Sequence, residues 1–335
     1  MNWNYLIFST ESYKYFSELL AENLYVFFSE QQLWQIEKKT FPDWEYYHRI
    51  LSPVYNKNVI LIWWTITDKE TLELYDLATG LVSEGCNSLT IITPYFWYST
   101  MDRRTKDWEV IKSEIRAKLL SSLPSWNLKT KILFLDLHTE HLLHYFTRDV
   151  LPFQLNTKLN FSIYLKNKLT DELKIKESDL ILLSPDQWRK KAVELLGKGL
   201  ELNTGYCIKN RIDGAKIEIT DCSINTKDKH VIICDDMIRT GGTMIEAAEF
   251  IKKQGAKHIS LFATHWIFSN YINSEKKEIN SFERLLNSCF DKIIVYNTHP
   301  NVLACEKIAK ELKKEDKFIV LDASEIYSYF LTYNK

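Results

Sequence analysis

Glycine is scarce in this chain, at 9 of 335 residues, where about 7% of a chain is usual. With so few, the adjacent pair Gly241-Gly242 marks a place where the backbone needs what only glycine gives. No run of 18 or more apolar residues occurs, so no membrane span is expected. Residues Met1–Tyr5 show no basic region leading into an apolar core and a small-residue cleavage site, so no secretory signal is expected and a cytoplasmic protein is. The cysteines (Cys86, Cys207, Cys222, Cys234, Cys289, Cys305) are scattered without a CxxC pair and read as reduced thiols, not as a disulfide frame or a zinc site. An excess of charge is missing too: 43 basic residues against 44 acidic ones leave a formal charge of −1. Nothing in bulk composition draws nucleic acid or an anionic membrane, and a nucleotide site must carry its own local positive charge. Internal repeats, low-complexity tracts and charged tails are also absent.

What is present is a soluble, aromatic-rich α/β pattern. Aromatics reach 13%, with ten tryptophans, which suits a large buried core and an oligomer interface. Apolar runs that read as buried strands are Asn58–Trp64, Ser88–Thr93, Lys131–Asp136, Leu180–Ser184, His230–Asp235, His258–Thr264 and Lys292–Asn297. Helical patterns fall between them, at Thr71–Glu84, Trp108–Leu123, Asp186–Leu196, Thr243–Gln254 and Val302–Lys314. Strands alternating with helices imply βαβ units and mainly parallel sheets flanked by helices. The alternation occurs twice, which predicts two domains, 1–155 and 156–314, joined near Leu151–Leu159. Residues 315–335 are expected to return to the first domain, with a strand and a helix in Phe318–Asn334.

The chemistry concentrates in His230-Val-Ile-Ile-Cys-Asp235-Asp236-Met-Ile-Arg239-Thr240-Gly241-Gly242-Thr243. A buried strand ends in two carboxylates, where α/β folds place ligands. A Thr-Gly-Gly-Thr turn then opens a helix. Its glycines let successive N–H groups converge, and the helix N-terminus adds partial positive charge, a combination suited to a phosphate monoester. The two acids beside it suit ribose hydroxyls.

This segment resembles the phosphoribosyl diphosphate-binding loop of type I phosphoribosyltransferases, and most closely that of the ribose-phosphate pyrophosphokinases. Other segments resemble the pyrophosphokinases alone, in the same order along the chain. Phe41-Pro-Asp43-Trp-Glu45 is similar to a segment that receives adenine across a subunit boundary. Thr93-Pro-Tyr-Phe-Trp-Tyr98 with Asp102-Arg103-Arg104 is similar to the stretch along the ATP phosphates. Leu135-Asp-Leu-His138 resembles a strand end whose histidine meets Mg–ATP, and Ser184-Pro-Asp186 a loop whose aspartate helps hold Mg²⁺. Lys209-Asn-Arg211 resembles the start of a flexible catalytic loop, and Ala263-Thr-His265-Trp-Ile-Phe-Ser269 the strand and turn that follow.

The resemblance implies two tandem phosphoribosyltransferase-type domains with an active site at their interface, and a dimer-based homo-oligomer, hexameric in many members. It implies Mg²⁺-dependent transfer of the β,γ-diphosphate of ATP to the C1 hydroxyl of a 5-phosphorylated ribose. Carried over by residue, Lys209, Arg211 and His138 are catalytic, and Phe41, Asp43, Glu45, Arg103, Arg104 and His138 bind ATP. Asp235, Asp236, Arg239, Thr240, Gly241, Gly242 and Thr243 hold the sugar phosphate, and His138 and Asp186 contact the metal. His141 and His144 read as helix-face histidines near the site entrance.

Four departures bear on substrate. Thr100-Met101 replaces an Arg-Gln pair, and Gln187-Trp188-Arg189-Lys190-Lys191 replaces small residues after Ser-Pro-Asp. Trp97 replaces a glycine, and Arg239 replaces an acid. Acid to base changes the local charge by two units and favours a more anionic 5′ substituent. ADP-ribose is therefore the expected acceptor, with ribose 5-phosphate the alternative. Trp97, Trp188 and Trp266 are candidates to stack an added adenine, buried packing being the plainer use of each. Two further readings stay open: a non-catalytic regulatory subunit, and a transferase that consumes the diphosphate sugar.

Overall fold

The computed structural model describes residues 5–25, 31–63, 65–125, 127–147, 150–166, 175–212, 216–272 and 276–334. The chain divides into two units, Met1–Asn156 with Ala323–Lys335, and Thr157–Asp322. Each is an α/β unit around a mainly parallel sheet. No helix among the described residues is long and apolar enough to cross a membrane.

The first unit contains β1 (Tyr5–Ser9), β2 (Gln31–Trp34), β3 (Ile36–Thr40), β4 (Tyr46–Ile50), β5 (Asn58–Ile62), β6 (Ser88–Thr93), β7 (Thr130–Leu135) and β8 (Val150–Leu155). Six of them form a sheet in the order β2-β1-β5-β6-β7-β8, with every pairing parallel. The central strands are unbroken apolar runs because helices cover both of their faces. The helix Asp68–Ser83 starts at a Thr N-cap: the Thr67 hydroxyl accepts from Glu70 N and donates to the Glu70 carboxylate. β3 and β4 form a separate antiparallel hairpin. Glu73 of that helix holds the hairpin by accepting from His48 Nε2 at 2.8 Å and pairing with Lys38 Nζ at 2.9 Å.

The second unit contains β9 (Leu180–Ser184), β10 (Asn203–Ile212), β11 (Lys216–Cys222), β12 (His230–Ile238), β13 (His258–Trp266), the short pair β14 (Tyr271–Ile272) and β15 (Glu278–Ile279), β16 (Lys292–Tyr296) and β17 (Phe318–Leu321). Its main sheet runs β11-β10-β9-β12-β13-β16-β17, parallel except for the antiparallel β10–β11 pair. Chain order reverses at β9, which lies between β10 and β12. That makes the crevice beyond the C-terminal ends of β9 and β12 the expected place for a ligand. The core below it is aromatic: Trp266 is fully buried among Phe268, Phe282 and Phe318.

Every strand and helix read from the sequence is found, Ser88–Thr93 and Leu180–Ser184 with the expected ends and the others with shifted ones. The helix expected from Trp108 begins at Lys112, since Trp108 is solvent-exposed with φ of 64°. The two units divide at Asn156/Thr157, inside the Leu151–Leu159 stretch where the join is expected. Most of that stretch is edge strand β8, where Pro152 is tolerated because an edge needs fewer ladder donors. The strand at Phe318–Leu321, expected with the first domain, extends the second sheet by pairing with β16. The helix Ser324–Tyr333 does belong to the first unit, where Tyr327 packs edge-on against Phe16 at 5.8 Å and Ser324 Oγ accepts from Asn23 Nδ2.

Candidate active site

In the second unit, β12 outruns β9. Their pairing stops at Ile233↔Leu183, whereas the pairing of β12 with β13 continues to Ile238↔Trp266. Asp235 and Asp236 therefore lie inside β12, just past the end of β9, and not at the end of a shorter strand. Asp236 is 5% exposed and Asp235 is half-buried, so the pair is less open to solvent than two strand-end acids would be. Asp236 N donates to Asp235 Oδ1 at 2.9 Å. Burial pushes the Asp235 carboxyl well above the usual carboxylate range, the neighbouring Asp236 charge and the side-chain hydrogen bond to it push the same way, and the Arg189 charge and the Asp236 N–H pull back.

The Ser184-Pro-Asp186 turn follows β9 into this crevice. Asp186 Oδ1 accepts from the N–H groups of Trp188 and Arg189. These bonds delay the helix to Lys190–Leu200, four residues later than the sequence pattern implied. Asp186 Oδ2 lies 3.5 Å from Lys209 Nζ. Lys209 sits on β10 just past its irregularity at Ile208/Lys209, so the expected catalytic lysine and metal-binding aspartate are brought together. Arg211 occupies the same strand opposite Ile217; its side chain lies outside the described residues.

One residue at the centre was missed by sequence reasoning. Arg189 Nε lies 3.6 Å from Asp235 Oδ1 and 3.6 Å from Asp236 Oδ1. Its charge offsets the repulsion within the acid pair. The signal lay in the basic run directly after Ser-Pro-Asp, which read as bulky, basic residues in place of small ones without a partner for Arg189. Of its neighbours, Trp188 is 85% exposed.

The Thr-Gly-Gly-Thr loop forms as expected. Gly241 has φ of 70° and is the N-cap of the helix Gly242–Lys253, which has no side-chain cap. Thr243 is thus in the first helical turn and is not its cap. A Cβ on Gly241 would lie 2.1 Å from Leu285 Cδ1, so both conformation and space require glycine. The first N–H groups of a helix lack intrahelical partners and carry partial positive charge, and here no side chain caps them. Arg239 is exposed at the loop's edge, Thr240 is half-buried and Thr243 exposed. Arg284 Nη1 lies 3.9 Å from where a Gly242 side chain would begin, a second cation that the motif did not reveal.

In the first unit, β7 leads to Asp136, at φ of 38°, whose N–H donates to Leu155 O, and then to half-buried His138. Arg103 and Arg104 are exposed; Arg103 Nε is 3.7 Å from the buried Asp102. Trp97 stacks on Tyr98 at 4.2 Å and its backbone N–H donates to Thr65 Oγ1. Trp266, by contrast, is core and stacks no ligand. Phe41, Asp43 and Glu45 form the exposed tip of the β3–β4 hairpin, closed by Phe41 N to Glu45 O at 2.9 Å and by Glu45 N to Asp43 Oδ1. His141 and His144 sit on an exposed 3₁₀ turn with rings 5.6 Å apart. Among the described residues, no group of three or more His, Cys, Asp or Glu side chains is arranged to hold a metal ion.

Residues 5–123 match the family model of the N-terminal domain of ribose phosphate pyrophosphokinase, and residues 208–294 match that of the phosphoribosyl transferase domain. The chain belongs to the ribose-phosphate pyrophosphokinase family. Curated ribose-phosphate pyrophosphokinases agree along most of their length. That of Thermococcus kodakarensis is 29% identical over 280 residues, covering 84% of this chain and 91% of the relative. That of Mycoplasma genitalium is 29% identical over 289 residues, covering 86% and 80%. The fold matches the crystal structure of phosphoribosylpyrophosphate synthetase from Mycobacterium smegmatis with a TM-score of 0.79 at 20% identity, covering 99% of this chain and 100% of that one. The pyrophosphokinase relatives span both units.

Proposed function

We propose that the chain is an ATP-dependent diphosphotransferase that moves the β,γ-diphosphate of ATP onto the C1 hydroxyl of ribose 5-phosphate, releasing AMP. The hydroxyl oxygen attacks the β-phosphorus in line, and the bond from that phosphorus to the α-bridging oxygen breaks. The observation that carries this reading is the crevice beyond β9 and β12, where Asp186, Lys209, Arg189, Asp235 and Asp236 converge beside an open helix N-terminus. Such a step asks the protein mainly for positioning and for charge neutralisation.

The Thr240–Thr243 loop would take the sugar 5-phosphate, with Arg239 at its rim. Asp235 and Asp236 would take the ribose hydroxyls once Arg189 moves aside and Asp235 gives up its proton. Lys209 would leave Asp186 to meet the transferring phosphates, joined by Arg211. Asp186 fits Mg²⁺ as a single carboxylate contact, because that ion keeps waters and substrate phosphates as its other ligands; His138 is the second proposed contact. When bound, the ion would neutralise phosphate charge as a Lewis acid. Arg103, Arg104 and the Phe41–Glu45 hairpin tip are the proposed ATP contacts. The exposed Phe41 and Trp44 on that tip suit burial against a second copy of the chain, which supports a homo-oligomer. The cysteines are all free, in keeping with a reducing compartment such as the cytoplasm.

On the acceptor, the expectation of ADP-ribose gives way. The similar curated relatives are ribose-phosphate pyrophosphokinases, and an exposed arginine at the loop rim serves a 5-monophosphate as well as a longer substituent. The retained Lys209–Asp186 pair favours an enzyme over a regulatory subunit. Competition at limiting enzyme, with Mg–ATP and equal ribose 5-phosphate and ADP-ribose, tests the reading. Product masses should show the ribose 5-phosphate adduct in excess; an excess of the ADP-ribose adduct would reverse the assignment of the acceptor.

A further inference from the structure

Two thiols sit at the base of the β10–β11 hairpin. Cys207 and Cys222 are direct cross-strand partners, with their sulfurs 3.9 Å apart. The next pair along, Tyr206 and Ser223, is joined by Ser223 N donating to Tyr206 O. In an antiparallel ladder that makes 207–222 the non-hydrogen-bonded pair, in which Cα atoms approach to about 4.5 Å and side chains are closest. This lies within the ~4.4–6.8 Å range that a disulfide spans. The rest of the cluster has the asymmetry that thiol exchange needs. Cys207 is buried, and Cys222 is half-exposed. The hydrogen bond the two thiols share, in which either can donate, pushes Cys207 up together with burial and holds Cys222 below its ordinary value. Cys222 is thus the thiol that ionises and can be reached.

We propose that Cys207 and Cys222 form a reversible disulfide that pins the catalytic hairpin and switches turnover off. The oxidant is a small-molecule disulfide. The Cys222 thiolate attacks one of its sulfurs, giving a mixed disulfide and releasing one small thiol. Cys207 then gives up its proton and attacks Cys222 Sγ, displacing the second small thiol. Two protein thiols lose two electrons and two protons, and these end on the two small thiols. The bond closes a ring over residues 208–221, which include Lys209 two positions from the link. Lys209 stands against Asp186, and a hairpin stapled at its base holds it there. The effect on turnover rests on the catalytic role given to this hairpin; formation of the bond does not.

The test is to incubate the full chain with oxidised glutathione, map its thiols by peptide mass, and assay with Mg–ATP and ribose 5-phosphate before and after dithiothreitol. The expected result is a Cys207–Cys222 cross-linked peptide, turnover lower by about tenfold or more, and full recovery on reduction. Cys222→Ser and Cys222→Ala chains should keep their turnover through the same treatment. A wild-type chain whose Cys207 and Cys222 stay unlinked, or one that is fully linked with unchanged turnover, overturns the proposal. If the reduced chain makes no AMP at all, the diphosphotransferase reading is what fails, and the peptide masses still report on the bond.

Discussion

Lys209 and the acid pair carry the residue-scale account. Lys209 rests against Asp186, and in the proposed reaction it would supply its charge to phosphates chiefly as the transferring group departs. Lys209→Ala should therefore lower kcat by about 10² or more while KM changes little, as steady-state kinetics in both substrates will show. A raised KM with unchanged kcat would make Lys209 a ground-state contact only. Asp235 yields a stability prediction with a definite sign. Unfolded, it ionises near pH 3.9; folded, it holds its proton to a much higher pH, chiefly because it is buried. The stability due to the protonated form is complete below the unfolded value and is lost as pH rises toward the folded one. Asp235→Asn cannot ionise and escapes that loss. Its melting temperature should exceed the wild type's by a margin that widens from pH 5 to pH 8, while acceptor use collapses. A margin that stays flat with pH would mean that Asp235 ionises freely. Arg189 acts in the opposite sense: Arg189→Gln removes the cation facing both acids and should cost more stability at pH 8 than at pH 5.

At the scale of elements, the Thr240–Thr243 turn is the most constrained piece. Gly241→Ala would have to hold φ near 70° and place its Cβ 2.1 Å from Leu285 Cδ1. A cost on the order of 2–4 kcal/mol is expected in chemical denaturation, together with a higher KM for ribose 5-phosphate. Adding Leu285→Ala should relieve the steric part and leave the strain; full recovery would show that φ is immaterial. This turn was legible in the sequence because its chemistry is local: strand, acids, glycines and helix are contiguous. The same holds for the seven apolar strands. β8 did not read as a strand because an edge strand with one wet face and a proline lacks the apolar run that marks its neighbours. The β3–β4 hairpin was found only as a motif, since its mostly exposed residues alternate too weakly to announce strands. Arg189 stayed hidden for a different reason. Its partners are forty-odd residues away along the chain, and only the end of β9 beside the longer β12 brings them within reach.

Across the whole molecule, two buried histidines set the acid limit of stability. Burial first, then the stacked His258 ring, lowers His230 to about pH 4, and burial, then His265, lowers His299 to about pH 3. Both are neutral when folded, yet in the unfolded chain each takes a proton near pH 6.5. Their contribution is complete above that value and is lost as pH falls toward about 4 and about 3. Melting temperature should therefore fall steadily below pH 6.5, less steeply in His299→Gln, and a parallel slope in that variant would count against a buried neutral histidine. The return of the helix Ser324–Tyr333 to the first unit binds the two ends of the chain into one fold, with Tyr327 fully buried; Tyr327→Ala should cost about 3–5 kcal/mol. The most direct test of the whole account is the phosphorus balance of a single reaction. With Mg–ATP and ribose 5-phosphate, ³¹P spectra should show AMP and a C1-diphosphorylated ribose 5-phosphate appearing in equal amounts, and no AMP without the acceptor. ADP as the nucleotide product, or AMP formed at the same rate without a sugar phosphate, would contradict diphosphate transfer by this chain.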